Sequence, residues 1–177
     1  RCPFKMKPDS CGMACAKDVE EIIKTTTTGQ IAGMLAEPIQ GVGGFITPPK
    51  GYYEIVAEIV RKYGGVFISD EVQTGFGRTG KQWGIDHHNV EPDIMTMAKG
   101  IANGFPLGAV IATPAIGDSL DKGILSTFGG NPVSATAAKA TLEVMEEENL
   151  TENAERMGNV LREGLLKLQK KFPKTIG

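Results

Sequence analysis

Short apolar runs that alternate with segments of helical periodicity are the feature that most constrains the fold of this chain. Four such runs are predicted to be strands, at 31–36, 66–69, 94–98 and 109–112. Runs of this length bounded by turn residues are typical of buried strands. Strands that alternate with helices usually form a parallel sheet covered by those helices. The sequence therefore predicts an α/β fold with a mostly parallel, mixed sheet flanked by helices.

Four segments carry helix signals, at 17–28, after Pro48-Pro49, from Asn131-Pro132 to about Glu148, and from near Thr151. Asn at the N-cap followed by Pro at the first helical position is a strong helix start. The segment 74–92 is rich in glycine and polar residues and is predicted to be a long loop. Loops of that length are often functional.

Size and charge exclude several classes of function. The 177 residues suit one domain. The net charge is −2, and the sequence contains no long run of residues with the same charge. A surface for nucleic acid or for an anionic membrane is therefore not expected. No apolar run reaches the roughly 20 residues of a membrane helix. We expect the chain to be a piece of a longer protein.

The cysteines and histidines do not predict a metal site. The three cysteines, Cys2, Cys11 and Cys15, lie near the start of the chain. Their odd number argues against a disulfide framework, and a zinc site requires a fourth ligand. His87 and His88 are assigned no catalytic role and are expected in a surface loop. No metal is predicted.

Two polar residues directly follow apolar strands and are the main candidates for chemistry. Asp70 follows the second run and Lys99 follows the third. If these strands are parallel, both side chains lie at the edge of the sheet where ligands bind in open α/β folds. Adjacent strands lie about 4.8 Å apart, so the two groups can address two points on one aromatic ring.

An amine and a carboxylate placed in this way suit pyridoxal phosphate (PLP). The amine binds the aldehyde carbon, and the carboxylate keeps the ring nitrogen protonated so that the ring accepts electrons. A desolvated site favours the neutral, reactive lysine. A structural ion pair between Asp70 and Lys99 at the sheet edge is the alternative that position alone leaves open.

Four ordered motifs carry a family resemblance. They are AEPIQGVGG at 36–44, DEVQTGFGRTG at 70–80, AKGIANGFPLGA at 98–109 and TFGGNP at 127–132. Together they resemble the class III aminotransferases, which are PLP enzymes of fold type I. The resemblance covers essentially the whole chain.

The resemblance implies a role for each matching residue. Lys99 matches the Schiff-base lysine and proton shuttle, and Asp70 matches the acid that bonds the pyridine nitrogen. Val72 matches the residue packed on the ring, and Gln73 matches the one that bonds its phenolic oxygen. Glu37 matches an acid that lines the site beside the cofactor.

The resemblance also implies a homodimer with a shared active site, because Thr127 matches a threonine that contacts the cofactor phosphate of the neighbouring subunit. A hydroxyl, two glycines and a nearby helix N-terminus suit an anion. A tight turn capped by Asn131 is the alternative. Val42 replaces a glutamate common in similar enzymes that use ornithine or 4-aminobutyrate, which favours the alanine–glyoxylate and β-amino-acid branches.

The implied activity is transfer of an amino group from an amino acid or amine to a 2-keto acid or aldehyde. One alternative is a PLP-dependent aminomutase, racemase or lyase. The other is that the isolated fragment is inactive. Residues 1–150 would form part of the PLP-binding large domain, and 151–177 a helix leading towards a small C-terminal domain. The expected compartment is the cytoplasm, with the mitochondrial matrix as the alternative.

The glycines Gly75, Gly77 and Gly80 match the G-x-G-x-x-G pattern of dinucleotide-binding proteins. That pattern requires a helix to begin at the third glycine and an acid at the end of the next strand. Residues 81–90 show no amphipathic helix, and the next strand is followed by Lys99. A dinucleotide site is therefore rejected.

Overall fold

The computed structural model describes residues 2, 4–7, 10–123 and 125–175. A four-stranded sheet organises it, with strand order β1-β2-β3-β4. The strands are β1 (Gly33–Ala36), β2 (Val66–Asp70), β3 (Ile94–Met97) and β4 (Ala109–Ala112). The first three are parallel and β4 is antiparallel to β3. The predicted α/β fold with a mostly parallel, mixed sheet is confirmed.

Helices connect and flank the strands: α1 (Ala14–Thr26), α2 (Tyr52–Lys62), α3 (Pro114–Gly117), α4 (Pro132–Glu147) and α5 (Leu150–Lys171). Short 3₁₀ turns occupy Gly84–His87 and Lys99–Ala102. Asn131 caps α4 as predicted, because its Oδ1 accepts the backbone N–H of Ser134 at 2.9 Å.

The first helix begins and ends earlier than the sequence predicted. It ends at Thr26 because the hydroxyls of Thr25, Thr26 and Thr27 donate back to the carbonyls of the preceding turn, each at 2.6 Å. Threonine hydroxyls that bond in this way compete with the continuing helical ladder.

The main core lies between the sheet and the helices α1 and α2. Val56 and Val60 of α2 and Phe67 of β2 are each 0% exposed. Burial of side chains of this size contributes about 1.5–3 kcal/mol each. A smaller cluster of Met97, Ile101, Ala102 and Ala138 joins the end of β3 to α4. The two clusters hold the carboxyl ends of β2 and β3 in place.

The opposite face of the sheet is more open. Along β2, Phe67 and Ser69 are buried, whereas Val66, Ile68 and Asp70 are only partly covered. Leu35 of β1 and Val110 of β4 are 57% and 67% exposed. Asp70 therefore projects from the accessible side of the sheet.

The helix α5 carries an apolar stripe but buries none of its described residues. The stripe consists of Met157, Leu161, Leu165 and Leu168, which are 41–64% exposed. In the described ranges no helix is both long enough and apolar enough to cross a membrane.

Candidate active site

Three predicted site residues lie at the carboxyl ends of three neighbouring parallel strands. Asp70 is the last residue of β2 and pairs in register with Thr96 of β3. Lys99 comes shortly after β3, and Glu37 directly follows Ala36 at the end of β1. Because the three strands are parallel and adjacent, these residues lie at one edge of the sheet. The arrangement on which the sequence argument depends is present.

The Asp70 carboxylate is oriented by the turn that follows β2. Its Oδ1 atom accepts the backbone N–H of Val72 at 3.0 Å, and the side chain is half-buried. In the described part of the chain its second oxygen forms no hydrogen bond. One oxygen is therefore held by the protein and the other is free to accept a proton-bearing group.

Lys99 occupies an unusual backbone conformation. Its φ of 49° lies in the left-handed region, and it begins the 3₁₀ turn Lys99–Ala102. This conformation costs a residue with a Cβ atom about 1–3 kcal/mol and is concentrated at functional sites. The turn places the exposed lysine on the wall of a cavity.

This cavity is open, has a volume of about 1340 Å³, and lies beyond the sheet edge. Val72, Gln73 and Lys99 line it. The half-buried Asp70 and Glu37 are not among its lining residues. Thr127 is exposed in the turn before α4, and no contact in the described structure joins it to the other five. The structure thus brings five of the six predicted residues to one edge and leaves Thr127 apart.

Glu37 and Gln73 meet at Gly41. The Oε2 atom of Glu37 accepts the backbone N–H of Gly41 at 2.9 Å. The amide of Gln73 lies where a Cβ atom of residue 41 would be. Only glycine permits this approach, so a side chain at position 41 would displace the Gln73 amide from the Glu37–Gly41 turn.

Glu71 is a buried acid whose importance the sequence reasoning missed. It is 0% exposed, and its carboxylate accepts four hydrogen bonds. The donors are the hydroxyls of Ser69 and Thr74 at 3.1 and 2.6 Å and the backbone N–H groups of Gly84 and Ile85, both at 2.8 Å. Its spacing from Phe67 and Ser69 places it on the buried side of β2, and this alternation was the available signal.

The glycines of the G-x-G-x-x-G pattern have a packing role. A Cβ atom at Gly77 would lie 2.6 Å from the hydroxyl of Thr151, and one at Gly80 would overlap Glu155. Both residues have positive φ, of 76° and 83°. The pattern therefore allows the loop to contact the start of α5, and the next helical turn begins only at Gly84.

The expectation of two surface histidines is wrong for His88. His87 is exposed, but the ring of His88 packs edge-on against Tyr53, with centroids 4.9 Å apart, and is half-buried. Burial lowers the pKa of His88, and the nearby Glu54 carboxylate opposes this shift in part. In the described ranges no group of three or more His, Cys, Asp or Glu side chains is suitable for holding a metal ion.

The lowered pKa of His88 predicts acid-sensitive stability. The unfolded state binds the proton more tightly, so this contribution is complete above the ordinary pKa of about 6.5 and is lost as the pH falls through the lower folded pKa. His88→Gln should flatten the decline in unfolding free energy between pH 7 and 5, by under about 1 kcal/mol because the ring is partly exposed. Urea unfolding measures this, with His87→Gln as the control. An unchanged slope in His88→Gln would contradict the assignment.

The family description "Aminotransferase class-III" matches residues 3–177, which is almost the whole chain. This chain belongs to the class III aminotransferases. The family that the four motifs predicted is confirmed.

Curated relatives of this class III chain are named as aminotransferases. It is 51% identical to alanine–glyoxylate aminotransferase 2 homolog 2, mitochondrial, from Arabidopsis thaliana, over 96% of this chain and 36% of that protein. It is 43% identical to taurine–pyruvate aminotransferase from Bilophila wadsworthia, over 92% of this chain and 38% of that protein. The chain therefore spans little more than a third of the length of these relatives.

Solved transaminases share the fold of this class III chain. A thermostable (S)-enantioselective omega-transaminase from Thermomicrobium roseum superposes with a TM-score of 0.86 at 38% identity, over 95% of this chain and 39% of that one. An ornithine aminotransferase from Toxoplasma gondii, described with partial occupancy of PLP at its active site, superposes with a TM-score of 0.80 at 37% identity. The match covers 86% of this chain and 35% of that one. The fold is that of the fold type I PLP enzymes.

Proposed function

We propose that the protein to which this chain belongs is a PLP-dependent transaminase and that Lys99 is its cofactor lysine. The observation that carries the proposal is the placement of Asp70 and Lys99 at the carboxyl ends of adjacent parallel strands, with Lys99 on the cavity wall. The aminotransferase names of the relatives support it.

The chemistry of the residues at the sheet edge fits PLP. The edge provides an amine at Lys99, an amide at Gln73, an apolar side chain at Val72 and a carboxylate with one unbonded oxygen at Asp70. In that order, these groups suit four parts of PLP: the aldehyde, the phenolic oxygen, the face of the ring and the ring nitrogen. When bound, PLP supplies the electron sink that stabilises a carbanion at the substrate carbon.

Each residue then has a defined task. Lys99 would hold the cofactor through its amine, and the same amine, when free, would serve as the general base for the proton on the substrate carbon. Asp70 holds a proton on the ring nitrogen through its second oxygen. Val72 and Gln73 orient the ring from the cavity wall, and Glu37 supports that wall by holding Gly41.

The dimer and the role of Thr127 belong to the same proposal. The hydroxyl of Thr127 is exposed in a turn that leads into the N-terminus of α4, a position suited to a phosphate. The same turn is braced by Asn131, whose Nδ2 donates to the carbonyl of Phe128 at 3.1 Å. We propose that this braced turn presents Thr127 to the cofactor phosphate of a second subunit in a homodimer.

Residues 1–150 are proposed to form part of the large domain, with 151–177 leading towards a small domain. The exposed stripe on α5 supports this division, because an amphipathic helix is stabilised by packing of its apolar face. The names of the relatives suggest amino acids or related amines as donors and small 2-keto acids such as glyoxylate or pyruvate as acceptors. We predict a cytoplasmic location or, as in the naming of the Arabidopsis relative, a mitochondrial one.

This chain alone is predicted to bind PLP weakly and not to turn over, because it spans only part of the length of its relatives. Titration with PLP, followed by visible absorbance, measures the binding. Supplying the full-length protein with an amino donor and detecting a ketone product separates transfer from mutase, racemase or lyase chemistry. Sustained turnover by residues 1–177 alone would contradict the first prediction, and absence of ketone from the full-length protein would contradict transamination.

The role of Asp70 is tested by two substitutions in the full-length protein. Asp70→Ala is expected to lower the turnover number by at least about 100-fold, a loss typical of removing a charge that stabilises the transition state. Asp70→Asn retains an oxygen for the Val72 N–H but removes the charge, so it should be similarly impaired. Near-normal turnover in Asp70→Asn would show that the residue serves only the turn.

A further inference from the structure

Tyr53 connects the main core to the edge of the candidate site. It is 2% exposed, and its ring lies between Phe67 and His88, with centroid distances of 5.8 and 4.9 Å. Its hydroxyl donates a hydrogen bond to the backbone carbonyl of Glu37. Glu37 follows the last residue of β1, so this carbonyl lies beyond the ladder between β1 and β2.

The contact continues from Glu37 to the cavity wall. The Glu37 carboxylate holds the N–H of Gly41 at 2.9 Å, and the Gln73 amide packs directly against Gly41. Gly41 and Gln73 both line the cavity that contains Lys99. Three contacts thus connect a buried phenol to a side chain on the cavity wall.

We propose that Tyr53 is a positioning residue that sets the Gln73 amide at the cavity wall by fixing the Glu37–Gly41 turn. The inference rests on the proposed function only in that Gln73 is taken to contact the cofactor. The coupling between Tyr53 and Gln73 is a property of the chain itself and is testable without cofactor.

The hydroxyl of Tyr53 is suited to this task. Burial raises the pKa of the phenol far above its ordinary value, so the hydroxyl stays a donor across the working pH range. The packed ring prevents the hydroxyl from turning away, and loss of the donor leaves a carbonyl without a partner. Tyr52 provides a matched contrast, because it is half-buried and its hydroxyl forms no hydrogen bond in the described structure.

The first experiment is nuclear magnetic resonance of the ¹⁵N-labelled chain without cofactor, with the Gln73 side-chain amide assigned by its loss in Gln73→Ala. Tyr53→Phe should shift this resonance and the Gly41 N–H resonance, whereas Tyr52→Phe should leave both in place. Gly41→Ala should displace the Gln73 resonance directly, independently of Tyr53. Wild-type positions for both resonances in a folded Tyr53→Phe chain would overturn the proposal and leave Tyr53 as a core residue only.

The second experiment is a double-mutant cycle on the PLP dissociation constant of the full-length protein, measured by visible absorbance. Tyr53→Phe should weaken binding about fivefold, the factor that corresponds to one neutral hydrogen bond. In the Gln73→Ala background it should have no further effect. An equal loss in both backgrounds would overturn the proposal. If the wild-type full-length protein shows no cofactor absorbance, the proposed function fails, while the cofactor-free resonances of the chain still decide the role of Tyr53.

Discussion

Replacing Lys99 with alanine is expected to abolish covalent trapping of PLP by borohydride in the full-length protein. Lys99 follows β3 at the sheet edge where the neighbouring β2 ends in Asp70, and Lys99 lines the cavity. Alanine removes the amine that is proposed to bind the cofactor. The loss should therefore be complete, and mass spectrometry of the reduced protein measures it.

The matched control is Lys50→Ala, because Lys50 also lines the cavity and is exposed. This variant should retain the trapped adduct at wild-type yield. Circular dichroism should show both variants folded, since neither side chain belongs to a core cluster. An adduct that persists at full yield in Lys99→Ala, or one mapped to Lys50, would refute the assignment.

The largest expected effect on stability comes from Glu71→Ala. The substitution removes the acceptor of two hydroxyls and two backbone N–H groups and leaves a cavity at a site that is 0% exposed. Hydrogen bonds to a charged group contribute about 1.5–3 kcal/mol each, and these contributions are not fully additive. We expect a loss of at least about 3 kcal/mol in the free energy of unfolding, measured with urea.

Two companion variants identify the cause. Glu71→Gln keeps one accepting oxygen, but its NH₂ group faces a backbone N–H of Gly84 or Ile85 that cannot reverse its role, so a loss of about 1–3 kcal/mol is expected. Glu58→Ala removes an exposed acid of α2 and should change stability by under about 0.5 kcal/mol. A Glu71→Ala chain within 1 kcal/mol of wild type would show that the donors find water instead.

Glu71 also helps to position residues of the candidate site. It lies between Asp70 and Val72 in the chain, and its bonds to Gly84 and Ile85 hold the loop after β2 against the end of that strand. Loosening this loop would displace Val72 and Gln73 together, because they lie in the segment that Glu71 anchors. We therefore expect Glu71→Gln to weaken PLP binding even while the chain remains folded, which visible absorbance measures.

Local sequence determined the placement of the main candidates. Asp70 and Lys99 directly follow strand-forming runs, and parallel strands bring their carboxyl ends to one edge, so a one-dimensional pattern was sufficient. The N-cap Asn131 and the following proline likewise specify the start of α4 through contacts within one turn. The motifs around these elements identified the family. The roles of Thr127 and Val42 remain predictions, because they concern a partner subunit and a substrate.

Tertiary structure alone decided which residues support the edge. Glu71 takes two of its donors from residues 13 and 14 positions later, and Gly77 packs against Thr151 of α5. His88 is covered by Tyr53, whose hydroxyl reaches back to Glu37. Periodicity reports only which face of an element a side chain occupies. The segment that meets this face is determined by how the whole chain packs, and sequence separation contains little information about that choice.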